Sequence, residues 1–185
     1  MYKRQGVTYT AGDGNLIDNG DGTWDLTLPI ALPDNTYAVT ATITDVAGNT
    51  SDDTTTAELV IDTIAPVVPT VTAQTTNNAS PSITGTATVA PGETLSVTVD
   101  GVTYSAGDGN LVDNGDGTWA LAIPLPLAEG AYDITVTVTD PAGNIASDAT
   151  SSELIIDITA PVPPGVTSLV TTNTCLLYTS PSPRD

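Results

Sequence analysis

The 185-residue chain contains no histidine and no phenylalanine, one cysteine, one methionine, and three basic residues against 22 acidic ones. Without histidine and with a single thiol, the usual zinc ligands are missing, as are the usual bases and nucleophiles of hydrolytic enzymes. Lys3, Arg4 and Arg184 are the whole cationic inventory, and the formal net charge is −19. Such a chain repels nucleic acid and anionic membrane surfaces and has almost nothing with which to contact phosphate. Cys175 has no partner cysteine in the sequence, so an oxidising compartment is permitted but not used for disulfides. Cations remain as partners, although a solvated acidic surface accounts equally well for most of the carboxylates.

What the chain has is a repeat. ELVIDTIAPVVP (58–69) returns as ELIIDITAPVPP (153–164), and the same offset of 95 residues carries GVTY (6–9) to 101–104, AGDGNL (11–16) to 106–111, NGDGTW (19–24) to 114–119 and DVAGN (45–49) to DPAGN (140–144). Without gaps, about 42 of 74 comparable positions are identical, which identifies tandem modules joined at a proline-stiffened seam. Residues 6–64 are the C-terminal part of one module, 65–159 a complete module, and 160–174 the start of a third. The ends break the pattern. CLLYTSPSPRD (175–185) resembles translated sequencing-library adaptor, and MYKRQ (1–5) resembles its other strand. Both are set aside from fold reasoning, which leaves 6–174 without a single basic residue. No signal peptide or membrane span is present, and since the chain opens in mid-repeat this carries no weight.

Within 65–159 the apolar residues alternate. Leu95, Val97 and Val99 are interleaved with Ser and Thr; Trp119, Leu121 and Ile123 with Ala; Ile134, Val136 and Val138 with Thr. Period-two patterning bounded by Gly, Pro and Asn-Gly signals predicts half-buried strands. They are expected near 68–75, 82–89, 94–100, 102–107, 118–124, 131–139 and 151–157, with Leu111 and Val112 prolonging the fourth. No stretch reads as helix. Seven short strands in a module of this size predict an all-β chain of tandem immunoglobulin-like sandwiches, one complete and two truncated. Tyr132, two residues before inward-facing Ile134, has the spacing of a tyrosine corner. By alternation Tyr104, Trp119 and Tyr132 all face inward. The first module, lacking its opening strands, should expose a sheet edge and part of its core.

Strands that alternate in direction send the loops at Ala90–Glu93, at 113–117 and at 140–144 to the pole where the linker enters. Counting in this way brings Asp62 of the upstream module towards Glu93, Asp140 and Asn144 of the next. Carboxylate and amide oxygens of this kind suit calcium, which takes six to eight oxygens in flexible geometry. The same DPAGN loop is also a good turn, with Asp and Asn bonding their own backbone and Gly at positive φ, and both readings stand. The stretch 108–117 superficially matches an EF-hand loop but has Val112 at a ligand position and no closing Glu, so hairpin turns explain it better. Carboxylate pairs suited to glycoside hydrolysis can be drawn anywhere in so acidic a chain and single out no active site.

The phrases ITGT (83–86), GDGTW (115–119), YDITVTVTDPAGN (132–144) and LIIDITAP (154–161) resemble the bacterial Ig-like repeats of very large secreted adhesins. The resemblance implies a secreted or cell-surface protein whose repeats are non-catalytic extenders, supporting adhesion or biofilm formation. It also implies calcium at the junctions, with Asp62 and Asp157 as linker ligands and Asp140 and Asn144 as loop ligands; Glu93 rests on the loop geometry alone. At ~3.3 Å per residue an eight-residue strand spans about 26 Å, so each module with its connector should add about 40 Å of rod. Two other classes stay open: an accessory module of a secreted polysaccharide-active enzyme, and a repeat that itself binds a receptor. Expected partners are adjacent repeats and calcium, with no nucleic acid and no membrane insertion in this segment.

Overall fold

The computed structural model of the protein describes residues 2–4, 7–165, 168 and 172, and no helix occurs among them. Two β units follow one another. The first contains β1 (Tyr2–Arg4), β2 (Val7–Tyr9), β3 (Leu16–Asp18), β4 (Trp24–Leu26), β5 (Asn35–Tyr37), β6 (Thr40–Thr44), β7 (Thr50–Asp52) and β8 (Leu59–Ile61). The second contains β9 (Thr70–Val71), β10 (Gln74–Thr76), β11 (Ser82–Thr86), β12 (Thr94–Val99), β13 (Val102–Ser105), β14 (Leu111–Asp113), β15 (Thr118–Ala122), β16 (Gly130–Tyr132), β17 (Ile134–Thr139), β18 (Ile145–Ser147) and β19 (Leu154–Ile156).

In the second unit one sheet runs β14-β15-β11-β9 and another β13-β12-β17-β18, while β10-β19-β16 form a third of three strands. The two four-stranded sheets enclose the core of an Ig-like sandwich. Alternation decides which residues enter it. β12 buries Leu95, Val97 and Val99, β17 buries Ile134, Val136 and Val138, and the intervening Ser and Thr point outward. Antiparallel register sets Val97 against Val136 and Ile83 against Leu121. Each fully buried aliphatic of this size stabilises the fold by about 1.5–3 kcal/mol. Charge is excluded from the strands just as consistently, since Asp113 is the only charged residue within β9–β19. The carboxylates therefore collect in the turns and at the poles.

Trp119 is fully buried on β15, and its indole nitrogen donates to the Thr70 carbonyl on β9 at 3.2 Å. The ring lies against Gly85 of β11, where a Cβ would stand 2.0 Å from the Thr70 oxygen and 2.7 Å from the indole. No side chain fits there, so the ITGT phrase is a notch for tryptophan. The Tyr132 hydroxyl donates to the Ala128 carbonyl at 3.0 Å, and Tyr37 does the same to Pro33 at 2.8 Å. This is the back-bond of a tyrosine corner, made in both units. Tyr104 and Tyr132 are half-buried and pack against the core edge, so of the three aromatics expected inward only Trp119 is wholly enclosed.

Several strand expectations need correction. The strand expected over 131–139 is two strands, broken at Asp133: β16 pairs with β19, whereas β17 pairs with β12 and β18. The strand expected over 68–75 is likewise two, with β9 antiparallel to β11 and β10 parallel to β19. Hydrophobic alternation continues across such sheet-switching breaks, so it does not reveal them. Strand β18 was not expected, because a single buried residue, Ala146, gives no period to detect. Leu111 and Val112 do not prolong the fourth strand. They begin β14 in the opposite sheet, turned there by Asp108, whose carboxylate accepts the amides of Ser105, Asn110 and Leu111 at 2.7–3.1 Å.

The breaks are held by side chains. Glu153 is buried, 4% exposed, and its Oε2 accepts the Ile134 amide at 3.0 Å, the first amide after the break. Its Oε1 is buried with no hydrogen-bond partner. In return the Asp133 carboxylate accepts the amide of Ser152, which has φ 60°. Two carboxylates thus replace ladder bonds where β16 passes to β17 and the chain enters β19. Glu58 repeats the bond to Val39 in the first unit at 2.9 Å, but there the glutamate is exposed.

Tyr2–Arg4, part of the adaptor-like end, pair with β2 and β6 in the registers that β12 keeps with β13 and β17. Strand pairing uses main-chain groups that nearly every residue carries, so this slot makes little demand on which side chains fill it. The first unit buries Tyr9, Leu16 and Tyr37, while Trp24 on β4 is 41% exposed where its equivalent Trp119 is 0%. Residues 160–165 carry no strand. The opening strand expected in the third module lies mostly outside the described residues, as does the adaptor-like tail 175–185.

Candidate inter-repeat junction

The linker leaves β8 at Asp62 and enters the second unit at Pro69, which is fully buried. Asp62 Oδ1 accepts the Ile64 amide at 3.0 Å, and Asp157 Oδ1 accepts that of Thr159 at the same distance. Both connectors therefore start with the same local turn. Each is also tied back to its own unit by threonine: Thr63 to the Asp34 carboxylate at 2.9 Å, and Thr159 to Glu129 at 2.8 Å. The threonine sits one position later in the second copy, yet the acceptors, Asp34 and Glu129, are equivalent residues. Sequence reasoning missed this pair, and the only available signal was the exchange of Thr-Ile for Ile-Thr between the copies.

On the far side, the loop 140–144 closes on itself. Asn144 donates its amide to Asp140 Oδ1 and its carboxamide to Asp140 Oδ2, both at 2.8 Å, with Gly143 at φ 92°. Asp45 and Asn49 make the same two bonds at 2.8 and 2.7 Å. The loop is thus an autonomous turn. What distinguishes the second copy is a bond across the seam, from Asn144 Nδ2 to the Asp62 carbonyl at 3.0 Å. Glu93 Oε2 accepts the Ala90 amide at 2.8 Å, folding the neighbouring loop inward. Asp62, Ile64, Pro66, Glu93, Asp140 and Pro141 line one open groove of about 560 Å³.

Of the five residues named from sequence, the structure brings Asp62, Glu93 and Asp140 to this groove, and Asn144 reaches the Asp62 carbonyl beside it. Asp157 starts the next connector and does not line this groove. For calcium the chemistry of the donors fits: carboxylates, a carboxamide and a carbonyl, with no basic side chain among them. Their placement fits less well, since among the described residues no three acidic side chains converge as a cation shell. Asp140 is already committed to Asn144.

That commitment has an electrostatic consequence. The Asn144 side chain, foremost, and its amide hold the Asp140 carboxyl below the usual carboxylate range. Asp108 is lowered chiefly by the Leu111 amide and Asp116 chiefly by the Thr118 hydroxyl. A depressed folded-state value stabilises the fold above the unfolded value of about 3.9, and that stability is lost as pH falls through the folded one. Mutual repulsion of the excess carboxylates acts in the opposite sense, easing as pH falls from neutral towards the isoelectric point near 4.1. The melting temperature should therefore rise from pH 7 to the isoelectric region and fall below about pH 4. A melting temperature still rising at pH 2 would show that the turn carboxylates contribute nothing.

No helix among the described residues is long and apolar enough to cross a membrane. No curated protein matches the chain. Among solved structures, SGBP-B of the Bacteroides ovatus mixed-linkage glucan utilization locus, in complex with mixed-linkage heptasaccharide, is similar at 17% identity and a TM-score of 0.31. The similarity covers 77% of this chain and 35% of that one, so the chain spans about a third of that protein, and a likeness this low carries no functional argument. The family model for the bacterial Ig-like domain matches residues 4–63 and again 70–158, stepping over the linker at the seam. With both sandwich units covered, the chain belongs to the bacterial Ig-like domain family.

Proposed function

We propose that the chain is a run of structural extender modules from a secreted or surface-displayed bacterial protein. The modules hold a distal binding region away from the cell and perform no catalysis themselves. The observation that carries this reading is the bond from Asn144 to the Asp62 carbonyl, because it ties the exit strand of one module to the entry pole of the next. Pro66 and Pro69 restrict the connector, and Thr63 anchors its first turn to Asp34. A strand of beads becomes a stiff stalk when each linker is docked in this way.

Calcium is the second part of the proposal. An ion held by Asp62, Glu93 and the 140–144 loop would offset carboxylate repulsion across the seam. An ion that binds only the docked arrangement stabilises it by about 2.7 kcal/mol at a hundred times its dissociation constant. Small-angle scattering on a three-module protein built from 65–159 separates the parts. Asn144→Ala at each junction should shorten the maximum dimension and broaden the distance distribution. Chelator should do the same to the unmutated protein if calcium is bound, and nothing if docking alone stiffens the stalk. Equal dimensions in all three samples would end the extender reading.

A further inference from the structure

The two connectors leave equivalent strand pairs in the same register. β5 sets Asn35 against Ile61 of β8, and β16 sets Gly130 against Ile156 of β19. In each case an acid stands just before the first strand of the pair, Asp34 or Glu129. The threonine that meets it differs in place: Thr63 is the second residue after β8, whereas Thr159 is the third after β19. Yet each hydroxyl lies astride its carboxylate, Thr63 at 2.9 and 3.1 Å from the two Asp34 oxygens and Thr159 at 3.0 and 2.8 Å from those of Glu129. The acid that meets the more distant threonine is the one with the extra methylene.

We infer that acid length and threonine position form a matched pair, which on the extender reading proposed above makes Asp34 and Thr63 positioning residues for the first turn of the connector. Packing of isoleucine does not explain the exchange of Thr-Ile for Ile-Thr, since Ile64 is 71% exposed at the junction. Nor does the turn itself, because Asp62 and Asp157 each accept the amide two residues on, at the same distance in both copies. What changes with the threonine is the acid it meets. Across the seam Asn144 holds the Asp62 carbonyl, and that oxygen belongs to the same peptide unit as the Thr63 nitrogen. The Asp62-Thr63 peptide is therefore held from both modules, through its carbonyl by the downstream loop and through the next side chain by the upstream strand pair. A long acid facing an early threonine must fold back and lose rotamer freedom to make the same bond, so a mismatched pair fixes the connector less firmly. Connectors of different sequence can in this way leave one common strand framework.

Nitrogen relaxation of the Ile64 and Ala65 amides in the full chain tests the pairing. Their order parameters should be about 0.85, and Thr63→Val should lower them towards about 0.6. Asp34→Glu, which keeps both the charge and the acceptor, should lower them as well. Moving the threonine to suit the longer acid, by combining Asp34→Glu with Thr63→Ile and Ile64→Thr, should restore them. Unchanged order in Thr63→Val overturns the tie, and unchanged order in Asp34→Glu, or no recovery in the triple variant, overturns the matching. The scattering experiment fails separately: dimensions unaltered by Asn144→Ala and by chelator end the extender reading without moving these order parameters.

Discussion

Trp119→Ala should destabilise the second unit by about 3–5 kcal/mol, whereas Trp24→Ala, at the equivalent position of the first, should cost clearly less, about 1 kcal/mol. Both residues follow an identical GDGT phrase, so local sequence cannot separate them. The difference lies in what covers the ring. Trp119 is enclosed by β9 and β11 and loses a hydrogen bond to Thr70 as well as its packing when truncated. Trp24 is 41% exposed and already open to water. Against a total stability of about 5–15 kcal/mol for a single domain, the first substitution removes a large fraction. Native-state hydrogen exchange reads the two units separately, and equal loss of protection in both variants would refute the packing account.

Glu153→Ala should cost about 2–3 kcal/mol, the range for stranding a buried amide together with lost packing. Its acceptor bond serves the Ile134 amide at the point where the chain leaves one sheet for another, and water has no access to take over. Glu58→Ala should cost under about 1 kcal/mol, because the Val39 amide can turn to solvent. Glu153→Gln keeps an acceptor for Ile134 and should fall between wild type and alanine. Urea titration of each variant checks the order, and an alanine effect at Glu153 no larger than at Glu58 would show that the carboxylate bridge is incidental.

Much of the fold is legible from the residues. Alternation at Leu95, Val97 and Val99, and again from Ile134 to Val138, names the buried face correctly, because in a strand every second side chain faces the same way. Tyr132 was legible as a corner because its distance in sequence from Ile134 is a backbone constraint. The counting of strand directions brought Asp62 to the 140–144 loop, since parity survives errors in strand boundaries. The splits at Asp133 and after Val71 were not legible. Either half of such a strand satisfies the same pattern, and which sheet it joins depends on partners distant in the chain. Glu153 was hidden for the same reason, as one more acid among 22 until the structure shows which amide it serves.

Sequence by itself determined that this is a cysteine-free tandem of β units outside its adaptor-like tail, acidic at its turns and without the groups that most enzymes use. Composition and period are properties of single residues and their neighbours, and they need no fold to be read. Only the tertiary structure decided that the Asn144 carboxamide reaches the Asp62 carbonyl across the seam, that Asp140 is already satisfied by its own loop, and that identical tryptophans differ in burial. Each of these depends on which main-chain and side-chain groups remain unpaired once the sheets have formed, and that is settled by contacts between residues far apart in the chain.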